Sequence, residues 1–560
     1  MAARPAGPNT PPEIQSVSRL FALETKPAVI RFRARDKDRN EVRTFAVEKP
    51  AGARWDEAAQ TLRFTPDFTQ GGRSHRLTLT ATDGHARTTE TFLIEVADTV
   101  ITAPPALIDR VTETDHDRLT LRQDGDGFLE EPGRSFEARL VVPHAASPEA
   151  PRPLRVFLHG IGGAPYSGGE GDEFRLYPHD PDATYWVGHQ SPPNSPSGRL
   201  VPFTERRIIA LIDWVLRNFA GADEKRVYLV GTSMGGTGAL TIGLTYARHV
   251  AFVDAELAQT VPRNHRPFRL RQLEALWGPK GTLDDAGIDA WDGRDLSRII
   301  ASDPLAREQL IHARFGKDDP TIHFGAMVYE SPLTHLSFRD VLATHRMGHR
   351  LVWDEGAHGP KDPVLGADWW DPYDPIHDAT SSVALDRAFL AFTRSSLDDD
   401  PGRGGNGTIP FSPATGFAGR PEVARDTGWD GDVAGQVGAH LRGRVMVDDI
   451  DRFEARIWIE PERVRPPLAP KTVACVDVTP RRVQRFQLRP LESVRLQTDG
   501  TGLQTDGTAL RLRADREGLV TLPRVWVQET GVTITLTREP RDPKVRATGR
   551  DVRSDVSNAD

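Results

Sequence analysis

Arg226-Val-Tyr-Leu-Val-Gly-Thr-Ser-Met-Gly-Gly-Thr-Gly-Ala-Leu240 decides the fold. The apolar run Val227 to Val230 reads as a buried strand. Gly231-Thr-Ser233-Met-Gly235 follows it without a spacer, and Gly236 to Leu244 is compatible with a helix. A strand that turns straight into a helix at Gly-x-Ser-x-Gly lifts the serine hydroxyl above the end of a sheet, and small residues on either side let the backbone turn that tightly. In a chain with 49 glycines the pentapeptide alone arises easily by chance, so its strand and helix carry the argument. Ser233 is the candidate nucleophile.

Working outward, strands alternate with helical patterns, the signature of a mostly parallel α/β sheet with helices on both faces. Arg155-Val-Phe-Leu-His-Gly is a compact strand upstream. Thr204 to Ala220 carries Ile208, Ile209, Leu211, Ile212, Val215, Leu216 and Phe219 at helical spacing. Downstream strands are expected at His249–Asp254, Ile311–Phe315 and His349–Trp353, and a helix over Ser381–Ser395 closes the unit.

A serine hydroxyl needs a base to take its proton and a carboxylate to orient that base. In an α/β-hydrolase these follow in the order Ser, Asp, His. Phe315-Gly-Lys-Asp-Asp319-Pro comes just after a strand and offers Asp319, with Asp318 as the alternative. Trp353-Asp-Glu-Gly-Ala-His358-Gly also follows a strand, on a small-residue loop. Among 17 histidines, His358 is therefore favoured as the base over His349 and His377. The oxyanion formed on attack needs two backbone N–H donors. Met234, next after the nucleophile, supplies one. Ile161, in Leu158-His-Gly-Ile-Gly-Gly163, supplies the other.

Together, Leu-His-Gly-Ile-Gly-Gly, Gly-Thr-Ser-Met-Gly-Gly, Gly-Lys-Asp-Asp and Gly-Ala-His-Gly resemble the polyhydroxybutyrate-depolymerase and feruloyl-esterase-like branch of the α/β-hydrolases, over roughly residues 135 to 396. The resemblance implies carboxylic-ester hydrolysis without a cofactor or metal. The chain departs from that branch in having Ile161 where a cysteine is often found, and in a long segment of its own between Ser233 and Asp319. That segment contains Trp277 and Trp291. With Trp369, Trp370 and Tyr373 in Ala367-Asp-Trp-Trp-Asp-Pro-Tyr373, Trp277 is a candidate for stacking on a sugar or aromatic ester.

The 560 residues exceed the size of one core, so the hydrolase unit is expected to be flanked by β-sandwich domains. The expected division is a sandwich over 12–100, a connector over 101–134 and the catalytic unit over 135–397. A linker follows over 398–410, then one or two β-rich domains over 411–540 and a disordered tail over 541–560. The N-terminal order Ala-Arg-Asp-Lys-Asp, Phe-Thr-Pro, Ala-Thr-Asp-Gly resembles cadherin-like and immunoglobulin-like modules flanking bacterial secreted enzymes. Asp36, Asp38 and Asp83 sit where such modules sometimes hold Ca²⁺, although solvated turn residues are the more economical reading. A tandem heptad from Leu496 carries Asp-Gly turn signals twice, as in a hairpin.

A net charge of -8 with no basic stripe argues against nucleic acid as a partner. No apolar run approaches the roughly 20 residues that span a bilayer. The single cysteine, Cys475, leaves no intrachain disulfide. Met1 to Pro8 carries no apolar leader segment, so either the chain stays inside the cell or its leader is not part of this sequence; the flanking modules favour a secreted or periplasmic setting. The expected substrate is an ester, polymeric or on a cell surface. Competing readings are a prolyl-oligopeptidase-like amidase, disfavoured by the lack of a recognisable propeller, and a non-catalytic surface protein, disfavoured by the complete set of catalytic residue types.

Overall fold

The computed structural model describes residues 9–38, 40–99, 102–125, 127–129, 133–166, 172–193, 195, 197–317, 319, 321–354, 358–359, 383–401, 435–438, 440–459, 472–499 and 510–539. A ten-stranded sheet holds the largest core. Its strands are β1 (Ala106–Thr112), β2 (His116–Asp124), β3 (Ser135–Pro143), β4 (Arg152–Leu158), β5 (Phe174–Pro178), β6 (Ala222–Thr232), β7 (Phe252–Glu256), β8 (Leu310–Gly316), β9 (Gly348–Asp354) and β10 (Gly435–Val437). They lie in the order β10-β9-β8-β7-β6-β4-β5-β3-β2-β1. From β5 through β4, β6, β7 and β8 to β9 the strands run parallel, and antiparallel strands complete both edges.

The parallel strands are mostly apolar because both faces are covered, with Arg155, Arg175, Asp254 and Arg314 as charged interruptions. Helix α1 (Phe203–Asn218) buries Ile208, Ile209, Leu211, Ile212 and Val215 on one stripe. Helix α2 (Met234–Thr245) is apolar all round and buried along its length, as a helix enclosed by other elements should be. Two further helices, α3 (Pro267–Trp277) and α4 (Leu296–Ser302), lie in the long segment after β7.

Residues 13–97 form two four-stranded sheets around one core that includes Ile30, Phe32, Leu62, Leu77, Leu79 and Ile94. In Ala28–Arg35 the buried positions alternate, which points Ile30 and Phe32 inward. Asp36 Oδ1 accepts from the backbone of Asp38 (2.7 Å) and Asn40 (3.2 Å), and Asp83 Oδ1 from His85 and Ala86 (both 2.7 Å), the work of turn-forming aspartates. Among the described residues, no group of three His, Cys, Asp or Glu side chains could hold a metal ion.

A three-stranded sheet (Phe389–Thr393, Val473–Arg481, Leu522–Gln528) and a five-stranded sheet (Leu441–Asp448, Arg452–Ile459, Val532–Arg538, Ser493–Thr498, Leu510–Arg513) share a third core. Two expectations need correcting. The segment expected to close the catalytic unit as a helix over Ser381–Ser395 is instead, at Phe389–Thr393, a strand paired with Val473–Arg481. Conversely, β10 from the C-terminal part of the chain returns to pair with β9 in the central sheet. The tandem heptad starts in Ser493–Thr498, which pairs antiparallel with Leu510–Arg513; its residues 500–509 lie outside the described residues, as do the linker beyond Pro401 and the tail.

Buried charge joins the three parts. Arg43 bridges Glu57 (3.2 Å) and Glu492 (2.8 Å), and Asp67 meets Arg248 (3.1 Å). Arg482 donates to the carbonyls of Ala384 and Ala251, both at 2.9 Å.

Candidate active site

β6 ends at Thr232 and α2 begins at Met234, leaving Ser233 alone to make the turn, at φ 62° and ψ -121°. A non-glycine residue held there costs on the order of 1–3 kcal/mol, which the surrounding structure must offset. Its backbone N–H donates to Glu256 O (2.8 Å), anchoring the turn to β7. Two of the motif's glycines are sterically required. A Cβ on Gly235 would lie 1.8 Å from Leu158 O, and one on Gly231 would lie 2.2 Å from Gly235 O. Although Ser233 caps α2, its hydroxyl makes no capping bond.

That hydroxyl instead lies 2.7 Å from Nε2 of His358, whose Nδ1 lies 2.7 Å from Oδ2 of Asp319. Because a carboxylate can only accept here, the imidazole proton sits on Nδ1 and Nε2 is free to accept from the serine. Asp319 is fully buried, and its other oxygen accepts from the backbone of Thr321 (2.7 Å) and Ile322 (3.0 Å). Arg266 Nη2 donates to the Asp319 carbonyl (2.7 Å), fixing the main chain as well.

Met234 opens α2, where backbone N–H groups have no intrahelical partner. Gly160 runs past the serine: a Cβ on it would lie 3.6 Å from Ser233 Cβ. The Gly160 carbonyl accepts from Gly163 N (3.0 Å) and from Nδ1 of His159 (2.8 Å). In a trans peptide the next N–H points the opposite way, so these two bonds aim the N–H of Ile161. His159 is itself held, since Nε2 accepts from Asp180 N (3.1 Å) and its carbonyl from Trp186 Nε1 (3.1 Å), with the two rings 4.8 Å apart. Burial pushes the His159 pKa down, which favours the neutral ring this pattern needs.

The structure therefore brings Ser233, Asp319 and His358 together, with Met234 following the serine in the chain and Gly160, the residue before Ile161, running past it. Trp369, Trp370, Tyr373, His377 and Asp318 lie outside the described residues. Trp277, expected to line the cleft, is 1% exposed and packs against Trp291 (5.7 Å between ring centroids) and Tyr185 (6.5 Å); it is a core residue. His349 is buried with Nδ1 on Met347 O (2.9 Å), and burial holds its pKa near 4.

Sequence reasoning missed a chain of charge that runs inward from the strand ends near the site, from exposed Thr232 through half-buried Glu256 to buried Arg314 and Asp354. Thr232 Oγ1 donates to Glu256 (2.7 Å), Glu256 pairs with Arg314 (3.2 Å), and Arg314 pairs with Asp354 (2.6 Å). Burial raises the Glu256 pKa, and the Thr232 hydrogen bond and Arg314 oppose that rise. The signal was present as charged residues inside otherwise apolar strands.

No curated protein matches the chain. Among solved structures it is similar to an S-formylglutathione hydrolase from Agrobacterium tumefaciens, at 16% identity over 45% of this chain and 92% of that one, with a TM-score of 0.31. It is also similar to an S-formylglutathione hydrolase from Staphylococcus aureus (17%, 47% and 98%, 0.30) and to a ferulic acid esterase (13%, 44% and 92%, 0.31). Residues 206–335, the span that contains Ser233 and Asp319, match the Esterase family.

Proposed function

We propose that the chain is a serine-dependent carboxylic-ester hydrolase with an α/β-hydrolase unit flanked by β-sandwich modules. The observation that carries this reading is the position of His358, within 2.7 Å of both Ser233 and Asp319 on a strained strand-to-helix turn. The Esterase match over residues 206–335 supports the same chemistry.

In this mechanism His358 Nε2 takes the Ser233 proton as Oγ bonds to the ester carbonyl carbon, and the carbonyl oxygen becomes an oxyanion. The amides of Met234 and Ile161 stabilise that charge, and Asp319 stabilises the imidazolium through Nδ1–H. His358 then passes its proton to the leaving alkoxide, which departs as the alcohol. Water, deprotonated by the same imidazole, attacks the acyl-serine and releases the acid, restoring Ser233. Polymeric or cell-surface esters outside the cytoplasm suit an enzyme carrying outer β-modules.

The test is hydrolysis of p-nitrophenyl, feruloyl and acetyl-sugar esters, together with fluorophosphonate labelling. The wild-type chain should do both and Ser233→Ala neither. Persistent labelling of Ser233→Ala, or turnover of aminoacyl anilides alone, would overturn the reading.

A further inference from the structure

The five-stranded C-terminal sheet buries one face against the three-stranded sheet. Its other face carries Arg444, Arg452, Arg456, Arg495 and Arg511 against Glu454, an excess of positive charge in a chain of net charge -8. Arg444 stands directly opposite Arg456 on adjacent strands, and Arg495 directly opposite Arg511. Register sets the two pairs apart along the sheet: Arg456 pairs with Thr533, whereas Arg495 pairs with Thr537, and Glu454, opposite Thr535 and paired with Arg452, lies between them on the same face. By the two-residue alternation of strands, all of these project away from Phe453, Ile457, Leu496 and Ile534, which are buried. The four opposed arginines are exposed.

Like charges directly opposite each other destabilise a sheet. Glu539 answers Arg511 at 2.5 Å, and Arg456 donates to the Thr530 carbonyl at 2.7 Å. Among the described residues Arg444, Arg456 and Arg495 have no carboxylate partner. Arg444 and Arg456 also line a groove of about 650 Å³ with Val445, Met446, Trp458 and Glu529, on a sheet whose core is separate from the one around the strand-to-helix turn of Ser233.

We propose that this face binds an acidic polysaccharide, a chain of sugar rings bearing carboxylates, with one carboxylate held between Arg444 and Arg456 and the chain continuing towards Arg495. A carboxylate placed between two guanidiniums turns their repulsion into charge-assisted hydrogen bonds, for which arginine's planar fork is suited. Trp458 and Met446 supply apolar surface against which a sugar ring packs. Glu529 in the groove and the negative charge of the whole chain oppose a densely charged polyanion such as nucleic acid or an anionic bilayer, but they tolerate one carboxylate per ring. From the strand of Arg444 to that of Arg511 is four strand spacings, about 19 Å, enough for several sugar units.

The site is independent of hydrolysis at Ser233, so it is tested by binding with the full chain. Affinity electrophoresis through polygalacturonate should retard the protein, and Arg444→Gln/Arg456→Gln should weaken binding by about tenfold or more, as should added salt. Arg444→Lys/Arg456→Lys should retain part of the affinity. Hydrolysis of p-nitrophenyl acetate should stay unchanged in both variants, and the melting temperature should not fall in either. Equal retardation by a neutral galactan, undiminished binding by the glutamine variant, tighter binding to single-stranded DNA or phosphatidylglycerol vesicles, or no binding to polygalacturonate would each overturn the proposal.

Discussion

Gly235→Ala isolates the geometry of the turn from its chemistry, because no catalytic group is removed. The added Cβ would stand 1.8 Å from Leu158 O, and side-chain carbons essentially never approach closer than 3.0 Å, so about 1.2 Å of displacement is forced. Both bodies that could give way carry a reacting group. Retreat of the β4 end moves the loop bearing Ile161, and retreat of the α2 start moves Ser233 and Met234. Misplacement by about 1 Å costs roughly a hundredfold in rate, so kcat/KM for p-nitrophenyl acetate should fall by at least that factor. Overpacking costs about 1–3 kcal/mol, so the chain should still fold. Gly160→Ala is the control: its Cβ would meet Ser233 Cβ and Thr232 O at 3.6 Å, ordinary contact, so turnover should stay within about tenfold of wild type. Paired measurements of kcat/KM and fluorophosphonate labelling rate decide. Near-normal rates for Gly235→Ala, or equal losses in both variants, would refute the steric account of the motif.

Replacing Arg314 by methionine removes the guanidinium that pairs with half-buried Glu256 and buried Asp354 and should cost about 3–5 kcal/mol in chemical denaturation; a loss below about 1 kcal/mol would show that the pairs contribute little. His159→Phe keeps a ring against Trp186 but deletes the ring's two hydrogen bonds, to the Gly160 carbonyl and from Asp180 N, so kcat should drop roughly ten- to a hundredfold with KM nearly constant; a rise in KM alone would assign His159 to substrate binding. His349, held near pKa 4 by burial, binds a proton in the unfolded chain near pH 6.5 but in the folded chain only near 4. Stability is therefore lost as pH falls from 6.5 to 4, on the order of 3 kcal/mol from this group, and His349→Gln should flatten the denaturation profile across that window while leaving it unchanged above pH 7.

Local physics made part of this molecule legible from sequence. The turn at Ser233 could be read because strand, glycines and helix are contiguous, and the residues that meet it follow their own strands at short distances. Phe389–Thr393 could not. Leu385, Phe389 and Phe392 fall at helical spacing, and only pairing with Val473–Arg481, some ninety residues later, selects the strand. Nor does anything within Gly435–Val437 reveal that it completes the sheet beside β9. Trp277 reads from sequence as a cleft wall or, more commonly for a tryptophan, as a core ring, and its contacts with Tyr185 and Trp291 decide for the core.

The buried charges explain how groups so far apart in sequence come to one place. Leu158 pairs with Gly231, Thr232 with Glu256, Glu256 with Arg314, and Gly316 with Asp354, so four ladders in series align the loops that carry Ile161, Ser233, Asp319 and His358. Apolar strands alone specify such register weakly, since a slip of two residues keeps every side chain on its original face while moving a loop by about 7 Å. Such a slip between β7 and β8 would leave Glu256 without Arg314, and one between β8 and β9 would separate Arg314 from Asp354. Each would pull a charge away from the ion pair it makes in the native register. The chain Thr232, Glu256, Arg314, Asp354 thus penalises the misalignments that hydrophobic packing tolerates, and it does so at the ends of the strands from which the loops carrying the candidate residues leave.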